Sequence, residues 1–291
     1  MMKKLILSLT LLGALGVNAS ALYFDGGLTG TTGPDGYSGY KLNLVVGEGN
    51  LAFEPSLTTY TSDSIDETYR TYGLRGAWEN DKYTIGGEAG MTPEAGGYEN
   101  KYVGGDITVS LTPTSGGKSR LAGPGSRGQA RGGEGVARVD VGAALKHTMH
   151  TNSSTGSDLD TTQTAATLFA GAKILMVNLS ASFTGYTYGD EDAIPQGFVP
   201  GHNFALAARP KSSVSARLDI PATIPMVTPF VGYTTTKYKG GTSAAKTDSS
   251  SAYLLGAYVD LNMVMANITY QVFNYADEND SFVSIGAGIK F

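Results

Sequence analysis

The chain contains no cysteine among its 291 residues, so disulfide bonds cannot hold its fold together. Only 16% of the residues are charged, and tryptophan occurs once. Beyond the N-terminus there is no run of about eighteen apolar residues, which excludes an ordinary membrane-spanning helix there. No segment shows the 3.6-residue repeat of an amphipathic helix. The net charge of −5 argues against a nucleic-acid partner.

The N-terminus has the pattern of an export signal. Lys3 and Lys4 precede an apolar stretch, Leu5 to Val17, that is too short to span a bilayer as a helix. The small residues of Ala19-Ser20-Ala21 follow it. We predict that residues 1–21 are a secretory signal peptide cleaved after its last residue, with cleavage two residues earlier as the alternative. An N-terminal anchor helix is the other interpretation.

Residues 22–291 are dominated by alternation of apolar and polar side chains. In the last ten residues (FVSIGAGIKF), every second position from Val283 to Phe291 is apolar or an alanine. A period of two is typical of strands with one apolar and one wet face. About fourteen such segments follow one another, with 12 or 16 as alternative counts. Abundant Gly, Thr, Ser and Tyr with little charge suits strands that face lipid on one side and water on the other. We therefore predict an all-β fold, a closed antiparallel transmembrane β-barrel.

The predicted connections alternate in length, with short turns after even-numbered strands and longer polar connections after odd-numbered ones. An even number of strands places both termini on one side, which in bacterial barrels is the periplasmic side. Residues 113–135, after the sixth strand, break this alternation because they are numerous, glycine-rich and basic. We interpret them as a flexible loop, since such a composition cannot bury enough apolar area to order itself. A partial plug of the barrel and a miscounted strand are the alternatives.

Acidic clusters occur in the longer predicted connections. They predict simple solubility of exposed loops, contact with lipopolysaccharide through divalent cations, or a vestibule that attracts cations. The clusters are Asp63, Asp66 and Glu67; Asp158 and Asp160; Asp190, Glu191 and Asp192; and Asp277, Glu278 and Asp280.

Charges in the middle of predicted strands indicate the lining of the barrel, because a charge on the lipid face costs a few kcal/mol. The two signs nearly balance, which predicts a hydrated lumen with weak ion selectivity. Alternatively the charges pair and only hold the barrel together, but about fourteen strands favour an open channel. The candidate pore-lining residues are Lys41, Glu54, Arg75, Glu88, Asp106, Arg138, Asp140, Lys146, Lys173, Arg217, Asp219, Asp260 and Lys290, with Asp25 as a further inward anion.

Aromatic residues near strand ends predict girdles at the two bilayer surfaces. They are Phe24, Tyr40, Trp78, Tyr83, Tyr270 and Phe291.

Signals of enzyme chemistry are weak. His147 and His150, close to Asn152, Ser153 and Ser154, are the only candidates for a catalytic group. Metal-ligand spacing, a phosphate-binding loop and a Gly-x-Ser-x-Gly element are all missing from the sequence. We therefore predict a protein that is not an enzyme and uses no metal or cofactor.

The final strand ending in Phe291 resembles the C-terminal strand that the barrel-assembly machinery of Gram-negative bacteria recognises. With its predicted mature length and strand parity, the chain resembles monomeric fourteen-stranded porins of the OmpG type. This resemblance implies passive diffusion of ions and small hydrophilic solutes through a water-filled lumen in the outer membrane. Outer-membrane lipid and lipopolysaccharide, the assembly machinery and the solutes would be the partners. A FadL-like transporter of hydrophobic compounds and a structural or surface-recognition barrel without transport are the alternatives.

Overall fold

Fourteen antiparallel strands form one closed barrel in the computed structural model of the chain. The structure describes residues 22–63, 65–80, 82–112, 137–153, 159–175, 177–190, 197–199, 204–206, 209–220, 226–239, 249–261, 263–275 and 278–290. The predicted signal peptide 1–21, the connection 113–135 and Phe291 lie outside these residues. Within the described residues, no helix is long and apolar enough to cross a membrane.

The strands follow the chain in an up-and-down order. The barrel strands are β1 (Leu22–Thr32), β2 (Ser38–Glu48), β3 (Leu51–Ser62), β4 (Ile65–Glu79), β5 (Tyr83–Ala95), β6 (Tyr98–Ser110), β7 (Ala137–Asn152), β8 (Leu159–Ile174), β9 (Val177–Tyr188), β12 (Arg209–Asp219), β13 (Val227–Lys239), β14 (Ser249–Asp260), β15 (Val264–Tyr275) and β16 (Glu278–Lys290). Each pairs with the next barrel strand, and β1 pairs with β16 to close the ring. β10 (Gly197–Val199) and β11 (Phe204–Leu206) form a separate two-stranded sheet.

The prediction of a closed antiparallel all-β barrel is confirmed, including the number of barrel strands. A closed ring is favoured because it leaves no strand edge unpaired. Some details of the prediction were wrong. The small β10–β11 sheet was not predicted, and it lies within the connection between β9 and β12. The connections after β3, β5 and β15 are not long, because only two residues separate the strands at each of these places.

These short connections also change where the acidic clusters lie. Asp66 and Glu67 belong to β4, Asp160 to β8, and Glu278 and Asp280 to β16. The strands therefore continue through residues that were assigned to loops. The reverse holds after β12, which is the tenth strand of the barrel. Its connection to β13 was predicted to be short, but it comprises the seven residues from 220 to 226.

The two faces of the barrel wall are chemically distinct. Large aliphatic side chains such as Val103, Leu255 and Ile285 lie on one face and remain well exposed, with Ile285 at 64%. The alternate positions carry charged and polar side chains and buried aromatic rings, such as Asp106 and Phe230. Side chains converge only on the concave side of a closed sheet, so the face with buried side chains is the inside. The barrel is therefore apolar outside and polar within.

Candidate functional site

Inside the barrel, an ion pair joins β4 to β6 across the intervening strand β5. The Arg75 guanidinium donates two hydrogen bonds to the Asp106 carboxylate, one of them 3.1 Å long. On β5, Gly86 is the register partner of Asp106. A Cβ atom on Gly86 would overlap the Arg75 guanidinium. The two side chains can therefore meet only because Gly86, on the strand between them, has no side chain.

A second ion pair, one strand further round the barrel, also has a glycine on the strand between its two members. Glu88 on β5 and Lys146 on β7 both pair in register with Gly104 of β6, and their charged atoms lie 3.9 Å apart. The Lys146 ammonium also lies 3.6 Å from the centre of the Tyr102 ring, within the range of a cation–π interaction. The Glu88 and Lys146 side chains are 33% and 40% exposed, so water reaches this part of the inner wall.

A third pair lies on β7, close to the residue at which this strand begins. Arg138 Nε donates to Asp140 Oδ2 at 2.8 Å, and Ser110 Oγ donates to Asp140 Oδ1 at 2.6 Å. Arg138 Nη2 in turn donates to Ser110 Oγ at 3.0 Å. The triad joins the ends of β6 and β7, on either side of the glycine-rich connection.

The fourth pair contains the most deeply buried carboxylate of the set, Asp219, whose side chain is 1% exposed. Arg217 Nη2 donates to Asp219 Oδ1 at 2.7 Å and to the Tyr258 hydroxyl at 3.1 Å. The guanidinium lies over the Phe230 ring, 4.0 Å from its centre. A Cβ atom on Gly256, the register partner of Phe230, would overlap that ring. These contacts among the ion pair, the Phe230 and Tyr258 side chains and Gly256 hold β12, β13 and β14 together.

A fifth pair closes the set. Lys290 Nζ donates to Asp260 across β15, close to the end of the barrel that carries the termini. Five ion pairs therefore join ten of the thirteen predicted pore-lining residues. Among the remaining three, Glu54 is the register partner of Arg75, Lys41 is exposed on β2, and Lys173 lies opposite Arg138. The role of all thirteen residues in permeation stays a prediction.

This pairing has an electrostatic consequence. Each pair contributes one positive and one negative charge, so neither sign dominates the potential along the wall. A small ion of either sign encounters a neutralised but polar surface. The polar groups of this wall can form hydrogen bonds with a solute or with water. Among the residues that the structure describes, the ion pairs do not form a ring of like charges.

Replacing Gly86 with alanine tests how the first ion pair is built. The new Cβ would displace the Arg75 guanidinium from Asp106, whose side chain is almost fully buried. Breaking a buried pair is expected to cost about 3 kcal/mol. The free energy of unfolding in urea, measured in lipid vesicles, checks this. Gly87 is a matched control, because it faces outward and a Cβ there would lie 3.8 Å from the nearest atom. An equal effect of G86A and G87A would contradict the role of the glycine.

The two histidines considered for catalysis lie on opposite faces of β7. His147 is exposed beside Thr164 on the outer face, with Nδ1 at 3.0 Å from the hydroxyl. His150 is buried on the inner face, where Nδ1 lies 2.8 Å from the Tyr98 hydroxyl. They cannot act together on one substrate. In the described ranges, no group of three or more His, Asp or Glu side chains could hold a metal ion.

Sequence reasoning missed a layer of buried aromatic rings on the inner wall, at the end of the barrel away from the termini. The alternation itself contained the signal, because each of these rings on a barrel strand occupies a wet-face position. We interpreted aromatic residues near strand ends only as girdle residues. The layer consists of Tyr37, Tyr60, Tyr69, Tyr98, Phe273 and Phe282, with Ala95 and Ala252.

Neither a protein-family model nor a curated protein matches this sequence. Solved structures similar to it include the monoaromatic hydrocarbon channel CymD, with a TM-score of 0.52 and 12% identity over 93% of this chain and 88% of that one. CdiB from Acinetobacter baumannii has a TM-score of 0.50 and 11% identity over 94% of this chain. This chain spans 60% of the length of CdiB. The outer-membrane protein OprD from Pseudomonas aeruginosa has a TM-score of 0.48 and 8% identity, with 93% of each chain covered. The likeness is one of fold.

Proposed function

We propose that the protein is an outer-membrane channel for passive diffusion of ions and small hydrophilic solutes. The observation that carries this proposal is the solvent exposure of charged side chains on the concave face. Lys146 and Glu88 keep 40% and 33% of their side-chain exposure although they lie on the inner wall of a closed barrel. A barrel filled by its own side chains, as in eight-stranded barrels, would bury them. Fourteen strands leave space for water.

The outer surface supports a location in the membrane. On β15 the outward positions from Val264 to Val272 are all apolar or aromatic. Eight residue steps of about 3.3 Å, tilted by about 40°, span about 20 Å along the barrel axis. This approaches the apolar band of about 25 Å found in outer-membrane barrels. Trp78, Tyr83, Tyr40 and Tyr270 are exposed on this surface, as girdle residues would be.

Several finer points of the proposal rest on the sequence patterns and on the resemblance described above. They are a monomeric porin of the OmpG type without enzyme activity, periplasmic termini, export by the signal peptide, and recognition of Phe291 by the assembly machinery. Contact with lipid and lipopolysaccharide belongs to the same set. Removing Phe291 would test the assembly step directly.

Solutes would cross by diffusion down their gradient through the hydrated lumen. The paired charges offer hydrogen bonds to a solute that has shed part of its hydration shell. The near balance of charge predicts weak ion selectivity.

Lys146→Glu should shift this weak selectivity towards cations. The exchange changes the charge of the inner wall by two units beside Glu88, where both side chains face water. The ratio of potassium to chloride permeability should rise on the order of twofold. Reversal potentials in a salt gradient across a planar bilayer measure it. Lys101→Glu is the control, because Lys101 is exposed on the outer face of β6 and should leave the ratio unchanged.

Swelling of protein-containing liposomes tests the function itself. Vesicles with the refolded protein should swell in isotonic solutions of small sugars and amino acids, at rates that fall with solute size. Swelling equal to that of empty vesicles would contradict a hydrophilic channel. It would leave a transporter of hydrophobic compounds, or a barrel whose ion pairs serve stability alone, as the remaining interpretations.

A further inference from the structure

The aromatic layer defined above is dry, although it lies on the inner wall of a barrel. None of its six aromatic side chains exposes more than 5% of its surface. Rings on the wall of a wide open mouth would keep much larger exposed areas. Something must therefore cover them.

The rings cover one another, and the connection between β1 and β2 contributes one of them. Tyr37, at the end of that connection, packs edge-on against Phe282 with 5.3 Å between ring centres. It also stacks on Tyr60 at 6.3 Å, and Tyr60 stacks on Tyr69 at 5.1 Å. The ring contacts thus run from β16 through this connection to β3 and β4.

The β1–β2 connection is folded to fit against the layer. Gly33 N–H donates to Tyr37 O at 3.1 Å, and a Cβ atom on Gly33 would overlap the Phe282 ring. Gly36 has a φ of 64°, and a Cβ atom there would overlap the carboxylate of Asp63. Asp63 N–H also donates to Asp35 O at 2.7 Å, which ties the connection to the next one round the rim. These contacts hold the Tyr37 ring over the inside of the barrel.

In the part of the chain that the structure describes, the layer occupies one arc of the barrel mouth. Its members lie on the continuous arc of strands from β14 through β16 and β1 to β6. On the other side, Thr161 of β8 and Arg209 of β12 are buried, but β8, β9 and β13 also present inward side chains that are polar-tipped and partly exposed. These are Gln163, Tyr186, Tyr188 and Tyr238.

We propose that the aromatic layer is a fixed constriction, which narrows this mouth and confines passage to the side formed by β8, β9, β12 and β13. This inference rests on the proposed channel function. Solutes would pass beside tyrosine hydroxyls and the Gln163 amide, and the layer would set the upper limit of their size. The stacked rings and the anchored connection make the constriction rigid.

The absence of cysteine from the chain allows a direct test by single-cysteine labelling. Gln163→Cys places a thiol on the open side, and Thr92→Cys places one beside the layer, where Thr92 is 1% exposed. A charged, water-soluble thiol reagent should modify the folded Q163C protein rapidly and should leave T92C largely unmodified. Adding Tyr69→Ala to T92C should make the thiol reactive, because Tyr69 lies on β4 two residues from Thr71, whose hydroxyl bonds that of Thr92. Equal labelling of Q163C and T92C in the parent background would overturn the constriction.

Conductance provides the second measurement. Phe282→Ala and Tyr37→Ala should each raise the single-channel conductance, on the order of twofold. Y37A lies outside the strands and keeps the test valid if F282A fails to fold. Tyr270→Ala, on the outer face of β15, is the matched control and should change nothing. A conducting parent whose current neither variant alters would overturn the constriction alone. A parent that passes no current would overturn the proposed function instead.

Discussion

Replacing Ile268 with arginine should largely prevent the barrel from folding into a membrane. Ile268 is at the centre of β15, and its side chain is 55% exposed on the apolar outer face. An arginine at the bilayer midplane costs about 2–4 kcal/mol in a barrel, a large part of the stability of a typical domain. The folded fraction, measured by heat-dependent gel mobility after refolding into lipid vesicles, should drop sharply.

The neighbouring residue supplies the control for this prediction. Thr269 lies next to Ile268 but points inward, so Thr269→Arg places the same charge against the hydrated lumen. We expect T269R to fold nearly as well as the parent protein. If I268R and T269R folded equally well, the assignment of the two faces would be wrong.

Arg217→Ala should destabilise the folded barrel by about 3 kcal/mol or more. The variant leaves the Asp219 carboxylate, whose side chain is 1% exposed, without its cation. It also removes the guanidinium from the Phe230 and Tyr258 rings and opens a gap between β12 and β14. Urea unfolding in vesicles, followed by the fluorescence of the single tryptophan, measures the loss.

Two further variants separate the buried charge from simple loss of packing. The double variant R217M/D219L removes both charges and should recover most of the stability, because an apolar pair can replace a buried ion pair. Lys101→Ala breaks an exposed pair with Glu99 and should cost no more than about 1 kcal/mol. An R217A loss as small as that of K101A would contradict the role of Arg217 as the partner of a buried charge.

The barrel could be predicted from sequence because one simple pattern decides it. Alternation over eight or more residues fixes both the strand and the face on which each side chain lies. The segments 177–188 and 264–275, for example, alternate in this way, and the structure shows them as β9 and β15. Fourteen such segments without a helical repeat leave a closed barrel as the fold that buries every strand edge.

Features that depend on partners across strands could not be predicted in the same way. Arg75 reaches Asp106 only because Gly86 lies between them, and register between distant segments is not contained in the pattern of either segment. The Tyr60 and Phe282 rings were missed because alternation predicts a face but not whether rings on that face cover one another. The polar ends of β4 and β16 were assigned to loops because charged residues near a turn suit both a loop and a strand that extends into water.

Single-channel recording of the refolded protein in a planar lipid bilayer tests the central claim most directly. We predict stepwise current increases of uniform size, linear in voltage and nearly indifferent to the sign of the ion. A folded, inserted barrel that produces no current steps would contradict the account. The polar inner wall would then stabilise the barrel without conducting.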